Sequence, residues 1–295
     1  MRDKKIVFLI LHYMVENETI NCVNSIVNNI DTNNYEIVIV DNYSPNKTGN
    51  LLKQLYKTNE KIHVLQTKEN LGFTGGNNFG FLYAKKNLNA DYICMMNNDT
   101  YIIQNDFFDI INKEFKKSSF AVLGPEIHLL NGGIEKIQKK IISLKKLRLN
   151  TLKLKIKLIC NYLNIEIIEE FLEEKLKKIL KFKNNSIINE KSLRLENVVL
   201  HGCCLVFSPI YIEQFDGLDQ KTFLYREEEF LYIKLLLNKM KSVYNPKLKI
   251  FHNEKQSTIT TNKKLKRKSV RFRYKNLIMA NKILFRYMKK ERIGE

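Results

Sequence analysis

The sequence predicts an α/β protein whose mixed, mostly parallel sheet is flanked by helices. Short apolar runs rich in β-branched residues alternate with segments of helical spacing through the first half of the chain. Such runs are typical of strands that are buried on both faces of a sheet. Two of them end in polar residues, at Asp41 and at Asn97–Asp99. Ligands of parallel sheets bind beyond the carboxyl ends of the strands, so these positions are the first candidates for a site.

The individual elements are predicted from hydrophobic period and length. Strands are predicted at 6–11, 36–41, 61–66 and 92–96, and helices at 17–29, 49–56 and 75–86. Core-like patterns resume later, with strands at 198–207 and 243–251 and a helix at 227–240. The chain has 295 residues, of which 44% are hydrophobic, so it can form one large domain or two small ones.

The middle and the end of the chain depart from this pattern in charge. Residues 136–157 contain nine basic residues and no acid, and residues 263–292 contain Glu291 as their only acid. Apolar residues are interleaved with the charges in both segments. We therefore predict a domain at 1–262 that is interrupted by a lysine-rich helical insertion at about 134–195, and a basic amphipathic helical segment at 263–295. Within the insertion a mixed-charge helix is predicted at about 165–182, whereas the alternation at 153–158 also fits a strand.

The formal net charge of +19 predicts an anionic partner. A nucleic acid, a phosphate-rich substrate and an acidic membrane face all fit the charge alone. The basic segments lack aromatic-rich strand motifs, zinc ligands and a helix-turn-helix pattern, so we expect no nucleic acid. Basic residues mixed with Leu, Ile, Phe and Tyr suit an anionic leaflet better, at about 1 kcal/mol for each Lys or Arg near the surface. A solvated helix packed on the core remains the simpler alternative for the tail.

The cysteines and the N-terminal run indicate the compartment. The five cysteines show neither a metal spacing nor a disulfide framework, so we expect buried, reduced thiols in a cytoplasmic protein. The apolar run at 6–11 is too short for a secretory signal, and we expect it to be the first buried strand. No uninterrupted apolar stretch approaches the ~18–20 residues that span a bilayer.

Three polar motifs follow predicted strands or open a predicted helix. Asp99, at the end of Asn97-Asn98-Asp99, can bind a divalent ion that neutralises a diphosphate, although a turn and helix cap explain these three residues better in isolation. Asp41, followed by Asn42, can accept hydrogen bonds from a base or ribose, or simply form a turn. The glycine-rich segment Asn70–Gly80 can offer backbone N–H groups to a phosphate or sugar, or be a plain turn.

Two further motifs lie in the second half of the chain. The carboxylates of Glu227, Glu228 and Glu229 come where a loop becomes a helix, and the helix dipole alone would favour them there. Alternatively, one of them is a general base that deprotonates an acceptor hydroxyl. His252 ends a predicted strand, where it is either structural or part of a metal or diphosphate site.

Together these motifs resemble family 2 glycosyltransferases of the GT-A fold, in particular rhamnosyltransferase-like enzymes of bacterial capsule and O-antigen synthesis. The resemblance depends on the order and spacing of several weak motifs and covers about 4–133 and 196–258. The motifs are Ile37–Asn42, Glu69–Asn78, Met96–Thr100, Gly202–Phe207, Phe215–Asp219, Phe223–Glu228 and His252. It implies a Rossmann-like sheet and an enzyme, a metal-dependent inverting hexosyltransferase.

The resemblance also implies roles for individual residues. The donor site would comprise Asp41, Asn42, Gly75, Gly76, Asn77, Asn97, Asn98 and Asp99, with Asp41 on the nucleotide base. Asp99 and His252 would bind Mn²⁺ or Mg²⁺, and Glu228 would be the catalytic base, with Glu227 as the alternative. Two departures matter: the family's Asp-x-Asp motif keeps only its last acid, and its Glu-Asp pair is Glu-Glu here.

The predicted partners follow from this resemblance and from the charge. The donor would be a UDP- or dTDP-activated hexose or deoxyhexose, and the acceptor a glycan hydroxyl, lipid-linked on the inner face of a bacterial plasma membrane. Two alternative functions are a basic nucleic-acid-binding protein and a nucleotidyltransferase on a similar sheet. The second alternative needs a basic nucleotide-activating loop near the N-terminus, and residues 12–19 contain no Arg or Lys.

Overall fold

The computed structural model describes residues 4–163, 193–253 and 263–294. The predicted helix at about 165–182 lies outside these residues. The chain divides into two compact units. The first, which we call the sheet unit, comprises Met1–Ile141, Arg194–Phe223 and Glu227–Ser257. The second, which we call the helical unit, comprises Ile142–Leu193, Leu224–Arg226 and Thr258–Glu295.

The sheet unit contains nine described strands and six described helices. The strands are β1 (Ile6–His12), β2 (Tyr35–Asp41), β3 (Ile62–Gln66), β4 (Tyr92–Asn97), β5 (Thr100–Ile102), β6 (Val122–Leu129), β7 (Leu195–Glu196), β8 (Cys204–Phe207) and β9 (Ser242–His252). The helices are α1 (Glu16–Asn29), α2 (Thr48–Leu55), α3 (Gly72–Lys86), α4 (Phe107–Ser118), α6 (Pro209–Gln214) and α7 (Glu227–Leu237). The helical unit contributes α5 (Leu144–Leu163) and α8 (Lys263–Lys290).

All nine strands form one sheet in the order β3-β2-β1-β4-β8-β6-β9-β5, with β7 paired to β9. The strands β3, β2, β1 and β4 are parallel. The strand β8 is antiparallel to both β4 and β6, whereas β6 and β9 are parallel. The predicted mixed, mostly parallel α/β sheet is therefore confirmed.

The core lies on both faces of this sheet because consecutive side chains of a strand point to opposite faces. On β1, Ile6, Phe8 and Ile10 belong to one buried cluster, together with residues of α1 and α4. Val7 and Leu9 belong to the other cluster, together with residues of α3, α6 and α7. Each fully buried side chain of this size contributes about 1.5–3 kcal/mol relative to exposure. The two clusters hold the polar ends of the strands in fixed positions.

Several predicted boundaries were wrong for local reasons. The helix α3 begins at Gly72 and not at Gly75, because the Asn70 side chain accepts the Gly72 N–H at 2.9 Å and Phe223 O accepts the Phe73 N–H at 3.0 Å. The predicted strand at 198–207 is reduced to β8, since residues 197–203 form a loop with one isolated bridge at Val199. Residues 153–158 are helical, within α5, and not a strand. The elements β5, α4, β6, β7 and α6 were not predicted.

In the described part of the helical unit, α5 and α8 pack against each other. Five buried residues of α8 recur every three or four positions: Tyr274, Ile278, Asn281, Leu284 and Met288. This is the spacing of one helix face. In the part of the chain that the structure describes, no helix is both long enough and apolar enough to cross a membrane.

Candidate active site

The predicted site residues lie at the carboxyl ends of neighbouring strands. In the register of the sheet, His12 at the end of β1 is opposite Asp41 on β2, and Leu11 is opposite Asn97 on β4. The Asn97 N–H donates to Cys203 O at 2.8 Å, which joins the end of β4 to the loop before β8. Asp41 and Asn97 therefore lie together at the carboxyl ends of neighbouring strands, as predicted.

Asp99 and His252 are brought together by the short antiparallel ladder between β5 and β9. Thr100 is opposite His252 in this ladder, and the Asn253 N–H donates to Asp99 O at 2.8 Å. As a result, Asp99 Oδ1 lies 3.3 Å from His252 Nε2. Asp99 Oδ1 is buried and accepts no hydrogen bond from the described residues.

Apart from this His252 contact, Asp99 Oδ1 has no donor among the described residues, which is unusual because buried carboxylate oxygens are nearly always hydrogen-bonded. A divalent cation would satisfy it, and a carboxylate with an imidazole is a donor pair that Mn²⁺ accepts. Among the described residues no group of three or more His, Cys, Asp or Glu side chains could hold a metal ion. Asp99 and His252 therefore fit a cation only if a substrate or water supplies the remaining ligands.

Asn98 fixes the turn that carries Asp99. Its Nδ2 donates to Thr19 Oγ1 at 3.1 Å and to Val15 O at 3.4 Å, at the start of α1. Both bonds hold the turn against α1. The Asn98 Nδ2 group therefore donates to the protein itself, and a contact of Asn98 with the donor stays a prediction.

Glu228 lies on the first turn of α7 and faces the loop before β8. Its Oε1 accepts the Gly202 N–H at 2.8 Å. A Cβ at position 202 would lie 3.3 Å from this oxygen, so glycine allows the close approach. Glu227 is half-buried on the same turn, whereas Glu229 is buried.

The loop residues His201, Gly202 and Cys203 connect the other site residues. His201 Nδ1 accepts the Cys203 N–H at 3.2 Å, which makes Nε2 the protonated nitrogen of the neutral ring. The His201 ring packs edge-on against His252, with 6.0 Å between centroids. Burial, and then the neighbouring Cys204 and Asp99, raise the pKa of the Cys203 thiol well above its ordinary value. Cys203 therefore stays a neutral thiol at neutral pH.

Sequence reasoning missed His201, and its only signal was its place beside the Gly202-Cys203 motif. A lone histidine in a loop has no period and no partner spacing that would single it out.

Asp41 is buried, with 4% of its surface exposed, in a network of its own. Its Oδ1 accepts the Ser44 N–H at 3.1 Å, and its Oδ2 accepts a bond from Gln66 Nε2 at 3.3 Å. Gly49, on the first turn of α2, packs directly on the carboxylate, since a Cβ there would lie 1.9 Å from Oδ2. Both carboxylate oxygens are therefore engaged with the protein, and contact of Asp41 with a nucleotide base stays a prediction.

Asn42 holds the glycine-rich loop to the end of β2. Its Nδ2 donates to Asn70 Oδ1 and Gly72 O, at 3.1 and 3.0 Å, and its Oδ1 accepts the Leu71 N–H at 3.0 Å. These bonds use the side chain fully, so the visible role of Asn42 is to position the loop. Donor binding by Asn42 stays a prediction.

Gly75, Gly76 and Asn77 are buried inside α3. A Cβ at Gly76 would lie 2.5 Å from Leu11 Cδ1, so glycine permits close packing of α3 on β1. Asn77 Nδ2 donates to Phe73 O at 2.9 Å, whereas its buried Oδ1 accepts no hydrogen bond from the described residues. The structure therefore gives these three residues a packing role, and their contact with a donor stays a prediction.

The model of the family described as Glycosyl transferase family 2 matches residues 8–165, more than half of the chain. The chain belongs to glycosyl transferase family 2. The resemblance inferred from the sequence motifs is thereby confirmed at the level of the family, and the likeness to rhamnosyltransferases stays a prediction.

This family 2 chain is similar in sequence to a hexosyltransferase and in fold to structures of TarS. The low-salt glycan biosynthesis hexosyltransferase Agl10 of Haloferax volcanii is 28% identical over 92 residues, which are 31% of this chain and 28% of that protein. The chain thus spans less than a third of this curated relative. A crystal structure of S. aureus TarS 1-349 has a TM-score of 0.52 at 12% identity and covers 92% of this chain and 71% of its own.

Two complexes of TarS share the same fold. The complex with UDP-GlcNAc has a TM-score of 0.54 at 13% identity, over 92% of this chain and 72% of that one. The complex with UDP has a TM-score of 0.52 at 15% identity, over 84% and 60%. At these identities the likeness shows a common fold for the family 2 sheet and no more.

Proposed function

We propose that this family 2 protein transfers a sugar from a nucleotide-sugar donor to a glycan hydroxyl with inversion at the anomeric carbon. The observation that carries the proposal is the convergence of Glu228, Asp99 and His252 on the loop 201–203. Family membership supports glycosyl transfer, and a relative is named a hexosyltransferase. The TarS structures with UDP and UDP-GlcNAc support a uridine-type donor.

Glu228 would be the general base. Its Oε1 is held by the Gly202 N–H, which leaves Oε2 to take the proton of the acceptor hydroxyl. The acceptor oxygen then forms a bond to the anomeric carbon while the bond from this carbon to the diphosphate breaks. A single displacement inverts the centre, and it needs no second carboxylate because a diphosphate is a good leaving group.

Asp99 and His252 would hold a Mn²⁺ or Mg²⁺ ion, for which the unsatisfied Asp99 Oδ1 is the supporting observation. When bound, the ion would neutralise the charge that develops on the leaving diphosphate. Asp41 would contact the nucleotide base. The Ser44 N–H and the packing of Gly49 would hold the Asp41 carboxylate in one orientation for this contact.

A donor screen tests the proposal. Purified protein is incubated with UDP-, dTDP- and GDP-sugars, with and without Mn²⁺, and release of nucleoside diphosphate is measured. We expect release from one UDP- or dTDP-hexose or deoxyhexose, and a large loss of it in Glu228→Gln. If no donor of the panel is hydrolysed or transferred while the protein binds nucleic acid tightly, the alternative of a nucleic-acid-binding protein is favoured.

We propose further that the protein is cytoplasmic, is peripheral on the inner face of a bacterial plasma membrane, and uses a lipid-linked acceptor for surface polysaccharide synthesis. Its support is the basic character of α8 and the residues after it, where Glu291 is the one acid between 263 and 294. Truncation after Thr261 should then weaken binding to anionic liposomes. Equal binding of the truncated and full-length chains would remove this part of the proposal.

A further inference from the structure

A groove of about 250 Å³ lies in the helical unit between α5 and α8. Its lining combines cations with an apolar floor. The residues that line it are Arg148, Thr151, Leu152, Lys155, Asn281, Lys282, Phe285 and Arg286. Four of these carry a positive charge and none carries a negative one.

The described residues supply no negative charge that neutralises these four cations. No described carboxylate forms an ion pair with any of them. Among the described residues the contact of Arg148 is apolar, since its guanidinium stacks over the Phe285 ring at 4.6 Å. Stacking leaves the N–H groups at the edge of the guanidinium free for an anion. Within the described helical unit, Glu291 is the one acid, so the groove lies in a strongly positive field.

Asn281 provides a second and independent indication of a ligand. It is fully buried and lines the groove. Its Oδ1 accepts a bond from Arg226 Nε at 2.8 Å, whereas its Nδ2 has no hydrogen-bond partner among the described residues. A buried amide N–H₂ without an acceptor is costly, because it has lost its hydrogen bonds to water. An anion in the groove would supply the acceptor that Nδ2 lacks.

An apolar stripe on α5 runs beside the groove. Its members are 48–62% exposed, and they recur at alternating steps of three and four: Leu149, Leu152, Ile156, Ile159 and Leu163. This spacing places them on one side of the helix. Leu152 belongs both to the stripe and to the lining of the groove. The cationic groove and the exposed apolar stripe are therefore continuous.

We propose that this groove binds the phosphate group of an anionic membrane lipid, while the stripe on α5 lies against the acyl chains. Charge favours this occupant over a second copy of the chain, whose helical unit would be equally basic and would repel the first. A nucleic acid would supply phosphates but would leave the apolar stripe in water. The inference rests on the membrane part of the proposed function and is independent of sugar transfer.

The test compares two triple variants that lose the same charge. The groove variant is Lys155→Gln/Lys282→Gln/Arg286→Gln, and the control is Lys153→Gln/Lys268→Gln/Lys289→Gln, which are exposed residues on the same helices outside the groove. Binding is measured by flotation with phosphatidylcholine vesicles that contain phosphatidylglycerol, without any donor. We expect the groove variant to lose about tenfold more affinity than the control, because the control loses only the general attraction of its charges to the surface. Circular dichroism verifies that both variants are folded.

A second experiment with a soluble phosphate distinguishes binding of a lipid from binding of a free phosphate. Glycerol 3-phosphate carries the same phosphate without acyl chains, and Leu149→Ser/Ile156→Ser removes part of the stripe without touching the groove. We expect the stripe variant to bind vesicles more weakly. Three results would overturn the inference: equal losses in the two triple variants, no vesicle binding by the wild-type chain, or groove-dependent binding of glycerol 3-phosphate that the vesicles do not compete for. Nucleoside diphosphate release is measured separately, and we expect it to be unchanged in the two triple variants and in the stripe variant.

Discussion

The Gly202 N–H donates to Glu228 Oε1 at 2.8 Å, and this bond ties the loop before β8 to the first turn of α7. The same loop binds the end of β4 through Cys203 O and Asn97 N. The candidate base and the candidate metal turn are thus positioned by consecutive residues of one loop. Predictions about either group can be tested with substitutions that preserve these contacts.

The first prediction concerns Glu228→Gln. Glutamine keeps an oxygen that can accept the Gly202 N–H, but it cannot take a proton from the acceptor. We expect the turnover number to fall by about 10²- to 10⁴-fold, while the KM for the donor and the thermal midpoint change little. Steady-state kinetics with the donor found in the screen measures both parameters.

Glu227→Gln is the matched control, since Glu227 lies one residue away on the same turn. It should retain most of the turnover. A large loss in Glu227→Gln together with near-normal Glu228→Gln would transfer the role of base to Glu227.

The second prediction concerns the metal. In Asp99→Asn the carboxylate is replaced by a neutral amide of the same size, and in His252→Gln the imidazole is lost. We expect each variant to need at least about tenfold more Mn²⁺ for half-maximal activity, because each loses one of two protein ligands. The measurement is a Mn²⁺ titration of donor turnover, with calorimetric titration of Mn²⁺ into the protein and UDP as a second readout.

Asn98→Ala is a useful comparison for the metal variants. It removes the bonds to Thr19 and Val15 but no metal ligand. Its thermal midpoint should fall more than its Mn²⁺ requirement rises. If EDTA-treated wild-type protein turns over donor at the full rate, the metal assignment of Asp99 and His252 is wrong.

The sequence was sufficient for those features that depend on period and on strand ends. The buried run of β1 and the polar ends of β2 and β4 follow from local composition, so the parallel sheet and the location of Asp41 and Asp99 could be predicted. Short elements escaped prediction: β5 has only three residues, too few to show a period, yet its pairing with β9 is what brings Asp99 to His252.

The rest of the site depends on contacts between residues far apart in the chain. Gly202 and Glu228 are separated by 26 positions, and a backbone N–H donor has no sequence signature at all. Asn42 and Gly76 looked like donor contacts because amides and glycines often bind ligands, but here their visible contacts are with the protein itself. Sequence patterns identify which residue types could bind a ligand, and tertiary contacts determine which of these remain available.

The third prediction concerns Gly49, which packs on Asp41. In the helix α2, alanine would be favoured over glycine by roughly 0.5–1 kcal/mol. The new Cβ, however, would lie 1.9 Å from Asp41 Oδ2 and 2.7 Å from Asp41 Cβ, so the whole side chain must move in a buried site. Overpacking of this kind costs about 1–3 kcal/mol and outweighs the propensity. We expect Gly49→Ala to lower the free energy of unfolding and to raise the KM for the donor.

Urea unfolding and donor kinetics measure the two effects. Lys53→Ala, at an exposed position of the same helix, is the control. It should change the free energy of unfolding by no more than about 0.5 kcal/mol and leave the KM for the donor unchanged. A Gly49→Ala protein that is as stable as the wild type, with an unchanged KM, would show that Asp41 can move freely and is not held in place for the donor.

The fourth prediction concerns the pH dependence of stability at His12. This residue is fully buried, and its two ring nitrogens lie 2.8 Å from Thr19 Oγ1 and 2.9 Å from Thr48 Oγ1. Burial lowers the pKa of His12 below its ordinary value of 6.5, although the charges of Asp41 and Glu16 partly oppose the shift. The unfolded chain therefore takes up this proton at a higher pH than the folded chain does.

The contribution of His12 to stability is complete above the unfolded pKa and is lost as the pH falls from about 7 towards the folded pKa, by at most about 1.4 kcal/mol per pH unit. Below the folded pKa both states are protonated, and this contribution no longer changes. We expect urea unfolding to show this decline in the wild type and a flatter profile in His12→Gln, whose amide cannot titrate. The other histidines are common to both proteins, so parallel profiles of the two would show that His12 is not the titrating group.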